Sequence, residues 1–476
     1  MIRFHLNGQW LEESADPSMT VLRYLRTRQM LCAAKEGCAS GDCGACCVIM
    51  VDQDEQGALQ YKAINSCIAL LASLDGKGLI TVEGLSHDDQ LHPVQRAMVD
   101  CHASQCGFCT PGIVASLAAL YHSKKGKAAN DDDILTALSG NLCRCTGYRP
   151  ILDAARTQHQ YPPPAESAPI SLLTQRFNPI SPAVPSQSLD PTVNREQQLF
   201  IPETEQQLQA LLADYPDACL WAGGTDLGLT ITQSMETADH IICLHRIRSL
   251  GRITDDGDTV QFGAMVTYSQ AESCLQACFP AFARILPRIG SRQIRNLGTL
   301  GGNVANASPI GDTPPIFLAL DARVRLASAN GTRVIAMDDF FTGYRKTAIR
   351  PGEYLQAITV PKLSATQWFT VHKVSKRLED DISTVLMAMR LNLGTSTILD
   401  ARVAYGGMAA TPQHARFTET ALAGQPLTLA SFERAADQIP RDFTPMDDVR
   451  ASAAYRLRVA ANLVIRAGLE ITGASP

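Results

Sequence analysis

The sequence predicts an α+β multidomain protein, and three observations carry that reading. Two quartets of cysteines stand in different settings, one among short alternating strands and one around a helical hairpin. A stretch with eight prolines between Tyr161 and Asn194 separates both from a second globular region. That region opens on a strand running into a glycine pair, and it carries another glycine-rich turn farther on. A chain of 476 residues fits roughly three domains, and a hydrophobic content of 45% is ample for their cores. The net charge of -5 offers no nucleic-acid signature.

In order, Ile2, Phe4 and Leu6 alternate before Asn7-Gly8, the dipeptide favoured in two-residue hairpin loops, and Trp10 lies on the returning strand. Ser18 or Thr20 starts a helix whose buried side holds Val21, Leu22 and Leu25. Strands over 48–51, 61–64 and 80–82 complete a small mixed sheet with one helix under it and a long cysteine loop at its edge, which resembles the ferredoxin fold. A helical region begins at 93–99. Thr110 is the expected cap, and Pro111 the first residue, of a buried helix over 113–121. Asn130 and Asp131 to Asp133 cap a second helix over 134–138 that Gly140 ends, and 150–159 forms the last one. Beyond the prolines, 204–213 reads as an amphipathic helix with Leu208, Leu211 and Leu212, and 217–221 as a strand.

If the two capped helices run antiparallel, Cys106, Cys109, Cys143 and Cys145 meet at one end of the hairpin, a four-thiolate site suited to zinc or to an iron-sulfur cluster. The upstream quartet decides between them. Cys38, Cys43 and Cys46, with Cys67 downstream, have the C-x4-C-x2-C…C spacing of a plant-type 2Fe-2S cluster. Glycines in that loop let backbone N–H groups turn toward an anionic cluster. The bland alternative is scattered core thiols, since free cysteine is commonly a small core residue. The remaining seven of fifteen cysteines, Cys32, Cys47, Cys101, Cys219, Cys243, Cys274 and Cys278, read as ordinary buried or partly exposed thiols. No signal peptide is recognisable and no apolar run approaches the roughly 20 residues of a spanning helix, so the expectation is a cytoplasmic protein.

Leu220, Trp221, Ala222, Gly223, Gly224, Thr225, Asp226 and Leu227 form a strand and tight turn whose backbone can approach a phosphate closely. Arg295-Asn296-Leu297-Gly298-Thr299-Leu300-Gly301-Gly302-Asn303 is the second glycine-rich stretch, continuing through Ala307-Ser308-Pro309-Ile310-Gly311-Asp312. Neither contains G-x-G-x-x-G, so a Rossmann dinucleotide site is not supported. Two such turns could converge on one pyrophosphate instead. A flavin dinucleotide suits such a chain, because it exchanges one electron with clusters and two with a hydride carrier. Both turns could also be loop punctuation.

These residues resemble a known family. The segments 36–46, 104–112 and 141–150 look like the two cluster motifs of the xanthine dehydrogenase family, and 223–227 and 296–312 like its flavin motifs. The likeness continues through 373–382 and Tyr405-Gly406-Gly407-Met408-Ala409, covering nearly the whole chain. It implies a β-grasp ferredoxin-like domain over 1–85, a helical 2Fe-2S domain over 86–160, a proline-rich linker over 161–194, and a two-part α+β FAD-binding region. The latter comprises an FAD-binding domain over 195–364 and a smaller C-terminal α+β flavoprotein domain over 365–476. Cys38, Cys43, Cys46 and Cys67 match the ligands of the cluster nearer the flavin, and Cys106, Cys109, Cys143 and Cys145 those of the cluster nearer the molybdenum. Residues 220–227 and 299–303 match the FAD phosphate turns, and Asp312, Leu355 and Lys373 match further flavin contacts. Ile289 falls at another such contact, where the family's best-known members carry an aromatic residue.

The chain is similar to the small subunit of bacterial members, which carries two 2Fe-2S clusters and FAD. The resemblance therefore implies a large partner subunit with the molybdenum cofactor, in a heterotetramer of two small and two large subunits, because no molybdenum domain follows the flavin region before Pro476. It also implies purine hydroxylation on the partner, with electrons passing through the helical and then the ferredoxin-like cluster to FAD and on to NAD+. Two alternatives remain open from the residues. One is the same wiring serving an aldehyde or N-heterocycle hydroxylase; the other is a non-catalytic electron carrier or zinc-stabilised adaptor.

Single residues have plain readings too. Lys373 can be a surface lysine, Asp312 a cap, Asp380 and Asp381 a solvated or structural pair, and Arg144 either a modulator of cluster potential or a partner of a backbone carbonyl. His92, His102, His240 and His245 show no partner spacing and read as ordinary polar residues, so no acid or base is expected.

Overall fold

The Asn7-Gly8 turn, with φ of 46° and 95°, reverses the chain between strands Ile2–Leu6 and Gln9–Glu13, which pair antiparallel from Ile2 opposite Glu13 to Leu6 opposite Gln9. This computed structural model describes residues 1–14, 16–54, 56–86, 90–162 and 197–473. The linker expected over 161–194 lies outside the described residues except for its first two positions. The chain divides into two compact units. One holds Met1–Leu211, Asp217–Ile247 and Gly290–Gly298, and the other Leu212–Pro216, Arg248–Ile289 and Thr299–Pro476. Among the described residues no helix is long and apolar enough to cross a membrane.

In the first unit the hairpin joins a mixed five-stranded sheet ordered Gln9–Glu13, Ile2–Leu6, Gly78–Ile80, Cys47–Gln53, Leu59–Asn65. Only Ile2–Leu6 and Gly78–Ile80 run parallel. The third expected strand ends two residues early. Thr81 is held by the Asn7 side chain, through bonds of 2.9 Å to its amide and its hydroxyl, and Val82 turns into the short 3-10 segment Val82–Gly84. Thr20 caps helix Val21–Thr27 by accepting the Arg23 amide.

Strand Cys47–Gln53 is buried on both faces, and its two-residue period assigns each face a partner. Val48 and Met50 pack with Phe4, Leu22, Leu25 and Ile64, and with Trp221, Ile241 and Leu297. Cys47, Ile49 and Val51 pack against Val94, Ile113, Leu117 and Ile151 of the helical region. That region comprises helices Pro93–Asp100, Thr110–Ser123, Asp131–Leu138 and Arg149–Thr157. Asn130 caps the third, and a reciprocal bond from its own amide to Asp133 completes a capping box. Thr110 is not the cap of the second helix. Cys109 occupies that position, Pro111 falls one place later than expected, and the Thr110 hydroxyl instead bonds Ser104 at 2.7 Å. A parallel three-stranded sheet, ordered Gln198–Phe200, His240–Cys243, Cys219–Trp221, completes the unit.

The second unit is built on two antiparallel sheets. Strands Gly331–Ala336, Arg323–Ser328, Tyr354–Pro361, Thr259–Gly263 and Ile253–Asp255 form one, and Gln367–Val374, Val385–Leu393, Ile398–Gly406 and Gln413–His414 the other. Alternation again separates two cores. Val385, Met387, Met389 and Leu391 face helices Leu429–Ala436 and Ala453–Thr472, while Leu386 and Ala388 join the core around Phe282, Phe317 and Phe340. Ser452 caps the last helix, and Gly473, at φ 64°, ends it.

Candidate functional site

The loop bearing Cys38, Cys43 and Cys46 runs through left-handed backbone at Ala39, Gly41 and Gly44, which turns amides inward. The Ser40 and Cys43 N–H groups each reach the Cys38 sulfur at 3.4 Å. Gly44 has φ +68°, and a Cβ there would lie 2.2 Å from the Gly140 carbonyl oxygen, so the loop closes this tightly only with glycine. Cys67 follows strand Leu59–Asn65 and brings its sulfur to 3.3 Å from that of Cys46. The Cys43 thiol, supported by Ser40 and the two amides against the effect of burial, holds Cys38 down to about 4. Cys67 likewise lowers Cys46, while the same contacts together with burial push Cys43 and Cys67 up.

In the helical region the sulfurs pair as Cys106 with Cys145 and Cys109 with Cys143. The Phe108 amide, then Cys145, lowers Cys106, and Cys106 raises Cys145. Burial pulls Cys143 up, but the Thr146 hydroxyl, 3.1 Å from the sulfur, and the Thr146 amide, with Cys109 and the Cys145 amide, together more than offset it. Burial and then Cys143 raise Cys109 to about 12. Tyr148, in left-handed backbone at φ 68°, folds its hydroxyl back to accept the Cys143 amide at 2.8 Å.

Each quartet is thus two thiol pairs, in each of which one member is shifted down and its partner up. Among the described residues no three His, Cys, Asp or Glu side chains close on a single-ion position. Two pairs suit a binuclear iron-sulfur cluster, with two thiolates for each iron, better than one tetrahedral zinc.

The first glycine turn lies in the first unit. Leu220 and Trp221 end strand Cys219–Trp221, Ala222 to Asp226 turn, and Leu227 begins helix Leu227–Thr232. A Cβ on Gly223 would sit 1.9 Å from the Leu297 carbonyl oxygen, so this position accepts no side chain. Among the described residues the buried Trp221 indole N–H has no hydrogen-bond partner.

The second turn lies in the second unit. Thr299 caps helix Leu300–Ala305 by accepting the Gly302 amide at 2.9 Å, and the Asn303 side chain accepts the Thr313 hydroxyl at 2.6 Å. Asp312 occupies the cap position of helix Thr313–Ala319 but makes no capping bond. Its carboxylate instead takes the Lys373 ammonium at 2.7 Å and the Ser383 hydroxyl. Lys373 is no surface lysine: its side chain is 1% exposed, and it also donates to the Arg288 carbonyl at 2.7 Å. Arg288 returns a bond of 2.8 Å to the Lys373 carbonyl. Leu355 and Ile289 are buried.

One plain histidine reading is corrected. His92 is not an ordinary polar residue: it is buried, caps helix Pro93–Asp100, and has its Nε2 3.3 Å from that of His122. Burial, then His122, pushes it down to about 3. His245 is half-buried, and desolvation holds it well below its ordinary value. Cys32 is exposed, while Cys47 and Cys243 are buried. Asp381 accepts the Arg377 and Ile382 amides within a local turn, and Arg144 is exposed. Ser383, Arg288, Tyr148 and Gln293 were not singled out by spacing, because each acts through contacts distant in sequence or through an unusual backbone angle.

Four family models match the chain in sequence order. They are a 2Fe-2S iron-sulfur cluster binding domain over 4–72, a 2Fe-2S binding domain over 81–156, the FAD binding domain in molybdopterin dehydrogenase over 195–363, and the CO dehydrogenase flavoprotein C-terminal domain over 370–471. Xanthine dehydrogenase of Drosophila pseudoobscura pseudoobscura is 32% identical over 98% of this chain and 39% of its own length. Xanthine dehydrogenase/oxidase of Rattus norvegicus is 33% identical over 85% of this chain and 34% of its own. The chain therefore spans well under half of these relatives. Among solved structures, a Cu,Mo-CO dehydrogenase chain is 29% identical, with a TM-score of 0.54 over 56% of this chain and 94% of that one. A chain of quinoline 2-oxidoreductase from Pseudomonas putida 86 is 26% identical, with a TM-score of 0.53 over 57% and 94%.

Proposed function

Because the chain belongs to the xanthine dehydrogenase family of FAD and 2Fe-2S proteins, we propose that it is the flavin and iron-sulfur subunit of a molybdenum hydroxylase, and specifically of a xanthine dehydrogenase. The single observation that carries this reading is the resolution of two differently built quartets into thiol pairs, on a chain that also matches the flavin domain of molybdopterin dehydrogenases. Cys38, Cys43, Cys46 and Cys67 hold one cluster, and Cys106, Cys109, Cys143 and Cys145 the other. Leu220 to Leu227, Ile289, Thr299 to Asn303, Asp312, Leu355 and Lys373 hold FAD. When bound, the clusters carry single electrons and the flavin gathers two of them for transfer as hydride to NAD+.

The chain's own residues bind and tune. The Ser40 and Cys43 amides and the Thr146 hydroxyl stabilise thiolate sulfur, which sets how readily each centre accepts an electron. The Asp312–Lys373 pair presents a locked, charge-balanced wall beside the second glycine turn. A large partner subunit, in a heterotetramer of two small and two large chains in the cytoplasm, supplies the molybdenum cofactor and oxidises hypoxanthine to xanthine and urate. The test is NADH formation from xanthine by the complex isolated from its native source through a tag on this chain. NADH formation supports the assignment. A brown, flavin-loaded complex inert to xanthine overturns the substrate and leaves the wiring.

A second reading is favoured by the CO dehydrogenase and quinoline 2-oxidoreductase likenesses, which cover most of those chains at 26–29% identity. In that reading the same subunit serves a hydroxylase of another substrate, such as an aldehyde or N-heterocycle, with substrate choice made by the partner.

A further inference from the structure

Helix Ala453–Thr472 carries a buried cation in its first turn, Arg456, which is 2% exposed. A guanidinium offers five N–H donors in a planar fork, and out of water those donors need acceptors. Nη1 donates to the Thr384 carbonyl at 2.5 Å and to the Gly407 carbonyl at 2.8 Å. Nη2 donates to both Asp448 oxygens at 2.7 Å. Asp448 is fixed in turn, because its Oδ1 accepts the Arg450 and Ala451 amides at 2.9 Å and 3.0 Å.

The two carbonyls held by Arg456 lie on segments that support the Asp312–Lys373 pair. Thr384 follows Ser383, whose hydroxyl bonds Asp312. The Thr384 amide donates at 2.8 Å to the carbonyl of Val374, the residue after Lys373. From the other segment, the Gly407 amide donates at 2.8 Å to the carbonyl of Pro309, in the stretch that leads to Asp312. Gly407 has φ +80°, and a Cβ there would lie 2.5 Å from the Thr384 oxygen, so the two backbones meet with no room for a side chain. Without the guanidinium, both carbonyls lose a donor in a place where water cannot readily replace it.

We propose that Arg456 is a positioning residue for the flavin: by holding Thr384 and Gly407 it sets the place of Asp312, Lys373 and Ser383. This deepens the proposed function, in which Asp312 and Lys373 hold FAD. The Nη bonds all go to protein acceptors, so Arg456 acts through the two backbones. A lysine at this position keeps the charge but lacks the fork, and cannot hold both carbonyls and the carboxylate together.

The experiment uses the native complex, with the full chain bearing Arg456→Lys, Asp448→Asn or Ser452→Ala. The probe is FAD, whose dissociation constant and midpoint potential are measured beside the thermal midpoint of the complex. Arg456→Lys is expected to weaken FAD binding about tenfold or more and to shift the flavin potential. Asp448→Asn loosens the fork from a side chain 29% exposed, and should weaken FAD binding by a smaller factor. Ser452→Ala removes the cap of the same helix, so it lowers the thermal midpoint while FAD affinity and potential stay unchanged. Unchanged FAD affinity and potential in Arg456→Lys overturn the positioning role. An equal loss of FAD in Ser452→Ala at an equal fall in thermal midpoint overturns it too. If Arg456→Lys does not fold, Asp448→Asn decides by the same measures. Lys373→Met tests the underlying reading separately: full FAD affinity there takes the pair out of the flavin site, and the role of Arg456 with it. Weakened FAD binding in Lys373→Met beside parental binding in Arg456→Lys overturns the role of Arg456 alone.

Discussion

At the scale of single residues, the buried Lys373–Asp312 pair is the sharpest case of a position whose role depends on what surrounds it. Removing one partner leaves an uncompensated charge beside a 1% exposed site. Lys373→Met is therefore expected to lower unfolding free energy by about 3–5 kcal/mol and to reduce bound flavin, measured by denaturant titration and by flavin released per chain. His414 makes a pH prediction. Burial pulls its pKa down, but Asp338 and Glu419, whose carboxylates lie 3.4 Å and 2.5 Å from its ring nitrogens, more than offset this and leave it raised. A raised folded value means stability fully present below the ordinary value of about 6.5 and lost as pH rises through the folded one. Stability measured against pH should show that loss in the parent chain and lack it in His414→Gln. An unchanged pH slope in the variant would contradict the assignment. In the sequence, Lys373 and Asp312 stood out only through resemblance. Their pairing, 61 residues apart, and the Ser383 bond belong to tertiary contact and leave no local pattern.

At the scale of elements, the readings that succeeded have local causes. Asn7-Gly8 specifies its turn, Thr20 and Asn130 accept the amides expected of caps, and the short apolar run over 48–51 lies in a strand as expected. The readings that slipped were decided at a distance. The strand expected over 80–82 is cut short by the Asn7 side chain, 74 residues away, and Thr110 yields the cap position to Cys109. Strands Gln198–Phe200 and His240–Cys243 were not singled out, because each is short and pairs only through a parallel sheet. Asn130→Ala should cost about 1 kcal/mol of stability through loss of its capping bond to Asp133, read as a shift in thermal midpoint. Gly223→Ala should be harsher at about 1–3 kcal/mol, because its methyl meets the Leu297 carbonyl, and flavin content should fall with it. Full flavin loading in Gly223→Ala would remove this turn from the site.

At the scale of the whole molecule, sequence order and spatial grouping differ. Residues Gly290–Gly298 belong to the first unit although their neighbours on both sides belong to the second, since Gln293 reaches Ser116, Ala137 and Asn141, and Asn296 donates to the Ala63 carbonyl. Composition and spacing reveal the cysteine quartets readily, because ligand geometry constrains spacing. They do not reveal this interleaving, because a buried glutamine has no spacing signature. The central claim is that one chain carries two separate 2Fe-2S clusters, and low-temperature EPR of the dithionite-reduced complex tests it most directly when paired with Cys38→Ser and Cys106→Ser. Two distinct signals and about four irons per chain are expected, with each variant losing one signal and keeping the other. A single signal, or a colourless chain holding zinc, would contradict it.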